Sequence, residues 1–263
     1  MTSPIDFGVC RLAIVAVRKD ADHKSEVVTQ LLFGDHYQVF DTSKDKKWIH
    51  VMVHSDETTG WIEELQHHSI SFEYFQQIGL ANFKITTDVA STILYKKTQL
   101  TIVMGSIVPI SGSELFKMEE QFAFNGEAKS LGQRRDYEYL RSISGKYINA
   151  PQIPGGKSPF GIDAPGFVQM AFKLTGYQLP RDAAQQANAG KPLESLNEVQ
   201  PGDVALFKGK DGKFNHVGIV LDEQKIIHCH GRVKIDYLME DGILNSETKI
   251  YTHTSPSFRR ILS

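Results

Sequence analysis

Cysteine is nearly missing from this chain: two in 263 residues, Cys10 and Cys229. Two thiols make at most one bridge, so a disulfide framework is excluded, and two free thiols in a reducing compartment is the simpler reading. Charge of one sign is also missing. The net charge of −2 gives no electrostatic case for nucleic acid or an anionic membrane. Basic residues come in short clusters such as Lys44, Lys46 and Lys47, interrupted by Asp45, which reads as a solvated turn. Long apolar runs are absent: the N-terminal stretch Leu12 to Val17 is far shorter than the roughly 20 residues of a membrane-spanning helix. MTSPIDFGVCRLAIVAVRKD has neither a basic leader nor a small-residue cleavage site. A cytoplasmic location is therefore expected, with export after removal of a leader left open.

What is present is ordinary globular composition, 41% hydrophobic and 23% charged, over a length that suggests two or three modules. Residues 9–65 read as short strands: CRLAIVAVR, VVTQLLFG, YQVFDT, KWIHVMVH and TGWIEEL, separated by turn residues. Trp48 and Trp61 sit in strands, as buried anchors of a small barrel would. Residues 80–129 repeat the style, with Gly105, Gly112 and Gly126 at turns. Between them, SISFEYFQQIG fits a strand or a short linker helix. From Gln133 the period changes. Tyr137, Leu140, Ile143 and Tyr147 fall at helical spacing. APGFVQMAFKLTGY predicts a second helix with Phe167, Met170, Ala171 and Leu174 on one face and Gly176 as its C-cap. RDAAQQANAG predicts a third. The strands DVALFK, HVGIVLD, KIIHCHG and FRRIL follow. The expected class is α+β: two small β-barrels (1–68 and 69–130), then an α+β domain with a central antiparallel sheet (131–263).

GGKSPFGIDAPGFVQMAFKLTGYQLPRDAAQQ, followed by PGDVALF, NHVGIVLD and IIHCHGRVKID, resembles the NlpC-type family of papain-like cysteine peptidases. The preceding barrels resemble bacterial SH3-like domains. The combination is similar to the branch that cuts γ-D-glutamyl bonds to diamino acids in murein peptides. The resemblance spans essentially the whole chain. It implies a nucleophile at the start of a buried helix, a histidine base and a third residue orienting that base, with no cofactor. Those positions are Ala164, His216 and His228, separated by gaps of 52 and 12 residues (164 to 216, 216 to 228). A cysteine at a helix start would be acidified by the helix dipole and deprotonated by the histidine. An alanine methyl group attacks nothing.

Other positions that line the cleft in the family depart with it. Asp-Cys-Ser-Gly is here Asp163-Ala164-Pro165-Gly166. The aromatic-rich upstream segment is Gln152-Ile153-Pro154-Gly155-Gly156. Arg181-Asp182-Ala183-Ala184 lacks the family's serine, and Thr58 stands where a tyrosine often precedes Gly-Trp. The implied substrate-binding positions are thus Asp163, Pro165, Gln152, Pro154, Arg181, Asp182 and Thr58. Scaffold positions Gly155, Gly156, Pro159, Phe160, Gly161 and Gly166 match. Three readings stay open: an inactive homologue that binds a murein-derived peptide weakly or not at all, a disabled or engineered variant of the peptidase, and a non-enzymatic protein binding through its barrels. A cleft plugged by Ile153 and Pro154 would favour the last.

Alternative chemistry is weaker. Cys229 adjoins His228, but successive strand residues face opposite ways. Cys10 reads as a small buried hydrophobe, and Ser158 has no evident base. His216, His228, Cys229 and His230 offer zinc-type ligands, yet no CxxC or HExxH spacing supports them, so no metal is expected. His230 is expected on the rim, and His67-His68 in a solvated turn. Oligomeric state is not legible.

Overall fold

Val and Ile alternating with smaller or polar residues put one side of each early strand into a core. In β2 (Ile14–Arg18) Val15 and Val17 are buried, and in β5 (Trp48–Val53) Ile49, Val51 and Val53 are. With β1 (Asp6–Val9), β3 (Val27–Leu32), β4 (His36–Thr42) and β6 (Thr59–Glu63), they form a six-stranded antiparallel sheet in the order β1-β4-β5-β6-β2-β3. The computed structural model describes residues 3–78, 83–109, 116–117 and 120–262. Gly112, expected at a turn, lies outside the described residues. Trp48 is a buried anchor, whereas Trp61 is half-buried on the outer side beside His50. Cys10 lies just after β1 and is buried in the barrel core, as a small hydrophobe would be.

The segment after the barrel is a helix, α1 (Phe72–Ile78), with Tyr74, Phe75 and Ile78 buried. Seven short strands follow: β7 (Lys84–Thr86), β8 (Ala90–Tyr95), β9 (Thr98–Val103), β10 (Ile107–Val108), β11 (Phe116–Lys117), β12 (Glu120–Asn125) and β13 (Ala128–Ser130). They make two sheets, β10-β7-β13 and β11-β12-β8-β9. The two strand groups share a core. Phe33 from the first packs with Ile93, Ile102, Val108 and Phe122 of the second. Gly34 lets the chains touch: it sits at φ +84°, and a Cβ there would lie 2.0 Å from the carbonyl oxygen of Ile107. Residues Met1–Gln133 accordingly form one compact unit and Arg134–Ser263 a second.

The second unit is built around α3 (Ala164–Thr175). Its predicted apolar face understates its burial: Val168, Gln169, Phe172 and Thr175 are buried as well as Phe167, Met170, Ala171 and Leu174. A helix hydrophobic on nearly all sides belongs inside a layer. Each large side chain removed from water contributes roughly 2 kcal/mol. Gly176, at φ 92°, ends it. One side packs on α2 (Tyr137–Gly145), where Tyr147 just beyond meets Phe167 edge-on at 5.7 Å. The other side packs on a strongly bent sheet. After the small pair β14 (Lys157–Ser158) and β15 (Gly161–Ile162), and the single-turn α4 (Ala183–Gln186), the strands are β16 (Lys191–Leu193), β17 (Val204–Lys208), β18 (Phe214–Leu221), β19 (Lys225–His230), β20 (Arg232–Met239), β21 (Gly242–Leu244), β22 (Tyr251–Thr254) and β23 (Ser257–Arg260). Their order is β16-β23-β17-β18-β19-β20-β21-β22, antiparallel throughout. Four strands separate β17 from β22, yet His253 of β22 lies 5.8 Å, ring to ring, from Phe207 of β17. The sheet curls until its last strand crosses its own inner face.

Candidate active site

The start of α3 is the first half of the site. Asp163 caps it in an extended conformation, its Oδ1 accepting from the Gly166 amide at 2.8 Å. Its Oδ2 accepts from the Gly155 amide at 2.8 Å and from Arg181 Nη2 at 2.6 Å. Gln186 donates to the carbonyls of Pro165 and Pro180, fastening the first turn to α4. Pro165 is accommodated because a first-turn amide needs no helical partner. Gly166 has no room for a side chain: a Cβ there would stand 2.4 Å from the carbonyl oxygen of Gly156. Ala164, the first helical residue, is 3% exposed. All the supports of a helix-start nucleophile are in place around a methyl group.

The second half comes from the strands. Gly218 on β18 pairs with His228 on β19, so His216, two residues away, shares the face of His228. The rings stand perpendicular, at 88°, with His216 Nε2 2.8 Å from His228 Nδ1. His228 Nε2 lies 3.0 Å from Asp236 Oδ2 on β20. Asp236 also accepts from the Ser246 amide at 2.8 Å and pairs with Lys234 at 3.1 Å. Burial pushes the Asp236 carboxyl up, but the hydrogen bonds from His228, Ser246 and Lys234 outweigh it and hold the carboxyl well below the usual range. An ionised carboxylate only accepts, so His228 donates from Nε2 and accepts at Nδ1, and His216 donates from Nε2. That leaves the lone pair of His216 on Nδ1, which makes no hydrogen bond among the described residues. Burial lowers the pKa of His216 well below the ordinary histidine value, and the neighbouring imidazoles lower it further. Burial lowers His228 too, against the pull of Asp236.

His253 completes the cluster. Its ring stacks on His216, centroids 3.7 Å apart and 14° from parallel, and burial brings its pKa down to about 4. His230 shares the face of His228 but is exposed, as expected for the rim.

Two ties bring the halves together. The Cys229 thiol donates to the Ile162 carbonyl at 3.2 Å, two residues before Ala164. Gln152 exchanges hydrogen bonds with Gly231, its Oε1 accepting at 2.7 Å and its amide donating at 2.9 Å. Cys229 therefore faces away from His228, and burial pushes its thiol up to about 12, which leaves no thiolate to react. Gln152, implied as a cleft residue, holds the β19–β20 turn. Arg181 is buried against Asp163, and Asp182 caps α4 through the amides of Ala184 and Gln185. Pro154 is exposed and Ile153 keeps 44% of its surface, so neither is buried as a plug would be. Thr58 belongs to the first unit, where it closes the β5–β6 turn onto Asp56 and Val53.

One expectation is corrected in that unit. His67 is not in a solvated turn: it bridges the Tyr37 hydroxyl and Asp6, both at 3.0 Å, because β1 folds back against the residues after β6. Two residues were missed by sequence reasoning. Asp236 could have been found from the hairpin register, since Gly231 pairs His228 with Lys234 and places Asp236 diagonally on the same face. His253 had no such signal, because only the curl of the sheet brings it to His216.

Comparison with known proteins identifies the domains and the fold. The NlpC/P60 family matches residues 152–251, and the bacterial dipeptidyl-peptidase SH3 domain matches residues 17–66. The γ-D-glutamyl-L-lysine dipeptidyl-peptidase of Bacillus subtilis is 27% identical over 221 residues, covering 77% of this chain and 72% of that protein. Dipeptidyl-peptidase 6 of Lysinibacillus sphaericus is 25% identical over 232 residues, covering 80% of this chain and 82% of that protein. A crystal structure of an NlpC/P60 family protein from Bacillus cereus superposes with a TM-score of 0.81 at 18% identity, over 98% of this chain and all of that one, and so shares the fold. The chain thus carries an NlpC/P60 domain and a bacterial SH3 domain, and is homologous to γ-D-glutamyl-L-lysine dipeptidyl-peptidases.

Proposed function

We propose that this chain is a catalytically silent homologue of the γ-D-glutamyl-L-lysine dipeptidyl-peptidases, one that keeps a cleft for a murein-derived peptide. The observation that carries the reading is Ala164 at the first position of α3, inside a fully built support, in a chain that also assembles a His216–His228–Asp236 relay. Cleavage by this chemistry needs a thiolate to attack the γ-glutamyl carbonyl, amides at the helix start to hold the oxyanion, and His216 to return a proton to the leaving amine. The second and third requirements have candidates here and the first has none. Peptide affinity is expected to be lower than in the relatives, because Gln152-Ile153-Pro154 replaces an aromatic wall. The exposure of Ile153 and Pro154 supports an accessible cleft over a purely barrel-mediated role.

The test is hydrolysis of L-Ala-γ-D-Glu-L-Lys peptides by the chain and by its Ala164→Cys, Pro165→Ser variant, following L-Ala-D-Glu. The parent is expected to be silent. The variant is expected to cut roughly a thousandfold or more above it and to be stopped by a thiol blocker. Cleavage by the parent would overturn the silence. Failure of both to cut or to bind the peptide would overturn the retained cleft.

A further inference from the structure

The inner face of the curled sheet carries a cluster of imidazoles, and three of them converge. His216, His228 and His253 come from β18, β19 and β22, and one ring nitrogen of each lies within 4.8 Å of the others. We propose that these three histidines hold a divalent first-row transition cation of the zinc type, with water or a ligand group in the fourth position.

The ligand set fits that class. Imidazole suits zinc, copper and nickel, whereas calcium and magnesium need oxygen. The Cys229 thiol, bonded to the Ile162 carbonyl, is turned away from the set. Three histidines with one open position is a recurring zinc geometry. The second shell is built as well: Asp236 accepts from His228 Nε2 at 3.0 Å and is itself fixed by Ser246 and Lys234. A carboxylate behind a histidine orients the ring and raises its basicity toward a metal.

The geometry says what has to move. His216 Nε2 and His228 Nδ1 face each other at 2.8 Å with perpendicular rings. A tetrahedral cation with bonds of about 2.0–2.1 Å holds its nitrogens about 3.3 Å apart, so this pair opens by about half an ångström. The proton between them shifts to His216 Nδ1, with no net release. His253 must do more. Lone pairs lie in the ring plane, and two stacked rings cannot aim theirs at one point. His253 therefore leaves its stack on His216 and turns edge-on. It is the member placed to do so: it is partly exposed, and among the described residues its ring is hydrogen-bonded only to Thr252 beside it, at 3.0 Å.

The site shares His216 and His228 with the relay of the proposed function but needs neither peptide nor cleavage, and its test reads the metal alone. Full-length chain stripped with chelator is titrated with Zn2+ by calorimetry and with Co2+ by visible absorption. Expected are one ion per chain and the intense d–d bands of four-coordinate cobalt. His253→Gln and His216→Gln should each weaken binding at least tenfold, and Asp236→Asn by about 10- to 100-fold. His230→Ala, on the exposed rim, should change it less than threefold. Near-UV circular dichroism confirms that each variant is folded, and His253→Gln, which alters only a half-buried ring, decides the matter if His216→Gln is not. The absence of a saturable site, or binding indifferent to His253→Gln, or binding abolished by His230→Ala alone, would overturn the proposal.

Discussion

At the start of α3 a methyl group stands inside a dense set of hydrogen bonds. Across β18, β19, β20 and β22 nothing is missing, and two residues beyond the expected pair have joined. The helix half is structural on its own terms: Asp163 caps α3, anchors the Gly155 loop and neutralises Arg181 whether or not a thiol follows it. The histidine half is different, because a His–His–Asp chain buried this deeply has no comparable packing duty. The first half is therefore accounted for by stability alone, while the second asks for a function.

The largest expected effect breaks the first half. Asp163→Ala removes a cap, a loop anchor and the carboxylate facing a guanidinium whose side chain is 6% exposed. Disrupting such a pair costs about 3 kcal/mol or more, with about 1 kcal/mol for the cap. Thermal melts of the full chain should show the transition of the C-terminal unit falling by roughly 10 °C. A change under about 2 °C would mean that the helix start is not held by Asp163 and that its conformation has another origin.

A smaller effect tests the second half. Asp236→Asn keeps the shape but removes the charge that fixes the His228 tautomer. The loss should be about 2 kcal/mol, the scale of a charge-assisted hydrogen bond. In the Ala164→Cys, Pro165→Ser background it should also lower kcat more than it raises KM, and shift the pH profile. A purely packing role would lower stability and leave that profile unmoved.

These two residues also mark what could be read without coordinates. The helix that Asp163 caps was legible because an apolar run and its C-cap Gly176 are local in sequence. So was the barrel around Val15, Val17, Val51 and Val53, where period-two alternation reports burial directly. His216 and His228 were implied by the family resemblance. Asp236 lay one hairpin register away and was overlooked, although adjacent-strand pairing is the next most local kind of information. His253 was beyond reach: it meets His216 through a curl accumulated over the strands between β18 and β22, which no short window encodes. The burial of α3 on nearly all sides was likewise underread, since one helix face is visible in a pattern and the layer covering the other is not.

The smallest effect sharpens the comparison by proton. His216, His228 and His253 all have pKa values lowered by burial, His253 to about 4 from an ordinary 6.5. Each is neutral in the fold and takes up a proton more readily once unfolded. The unfolded chain therefore binds more protons, and stability rises with pH through this range. Its contribution is complete above about pH 6.5 and declines as the pH falls toward 4. The groups facing the cluster act in both directions, His230 and Lys234 opposing protonation and Asp236 favouring it. Asp236, held low by its hydrogen bonds, adds its own loss only as the unfolded-state carboxyl begins to protonate below about pH 5, so the loss between about pH 6.5 and 5 belongs to the histidines in this cluster. His253→Phe keeps a ring against His216 and removes one titrating group. Its melting temperature should fall less than the parent's between pH 7 and pH 5, by a few degrees at most. Parallel curves for the two proteins would mean that His253 is solvated and protonates freely, and the stack on His216 would then lose its place in both the relay and the cation site.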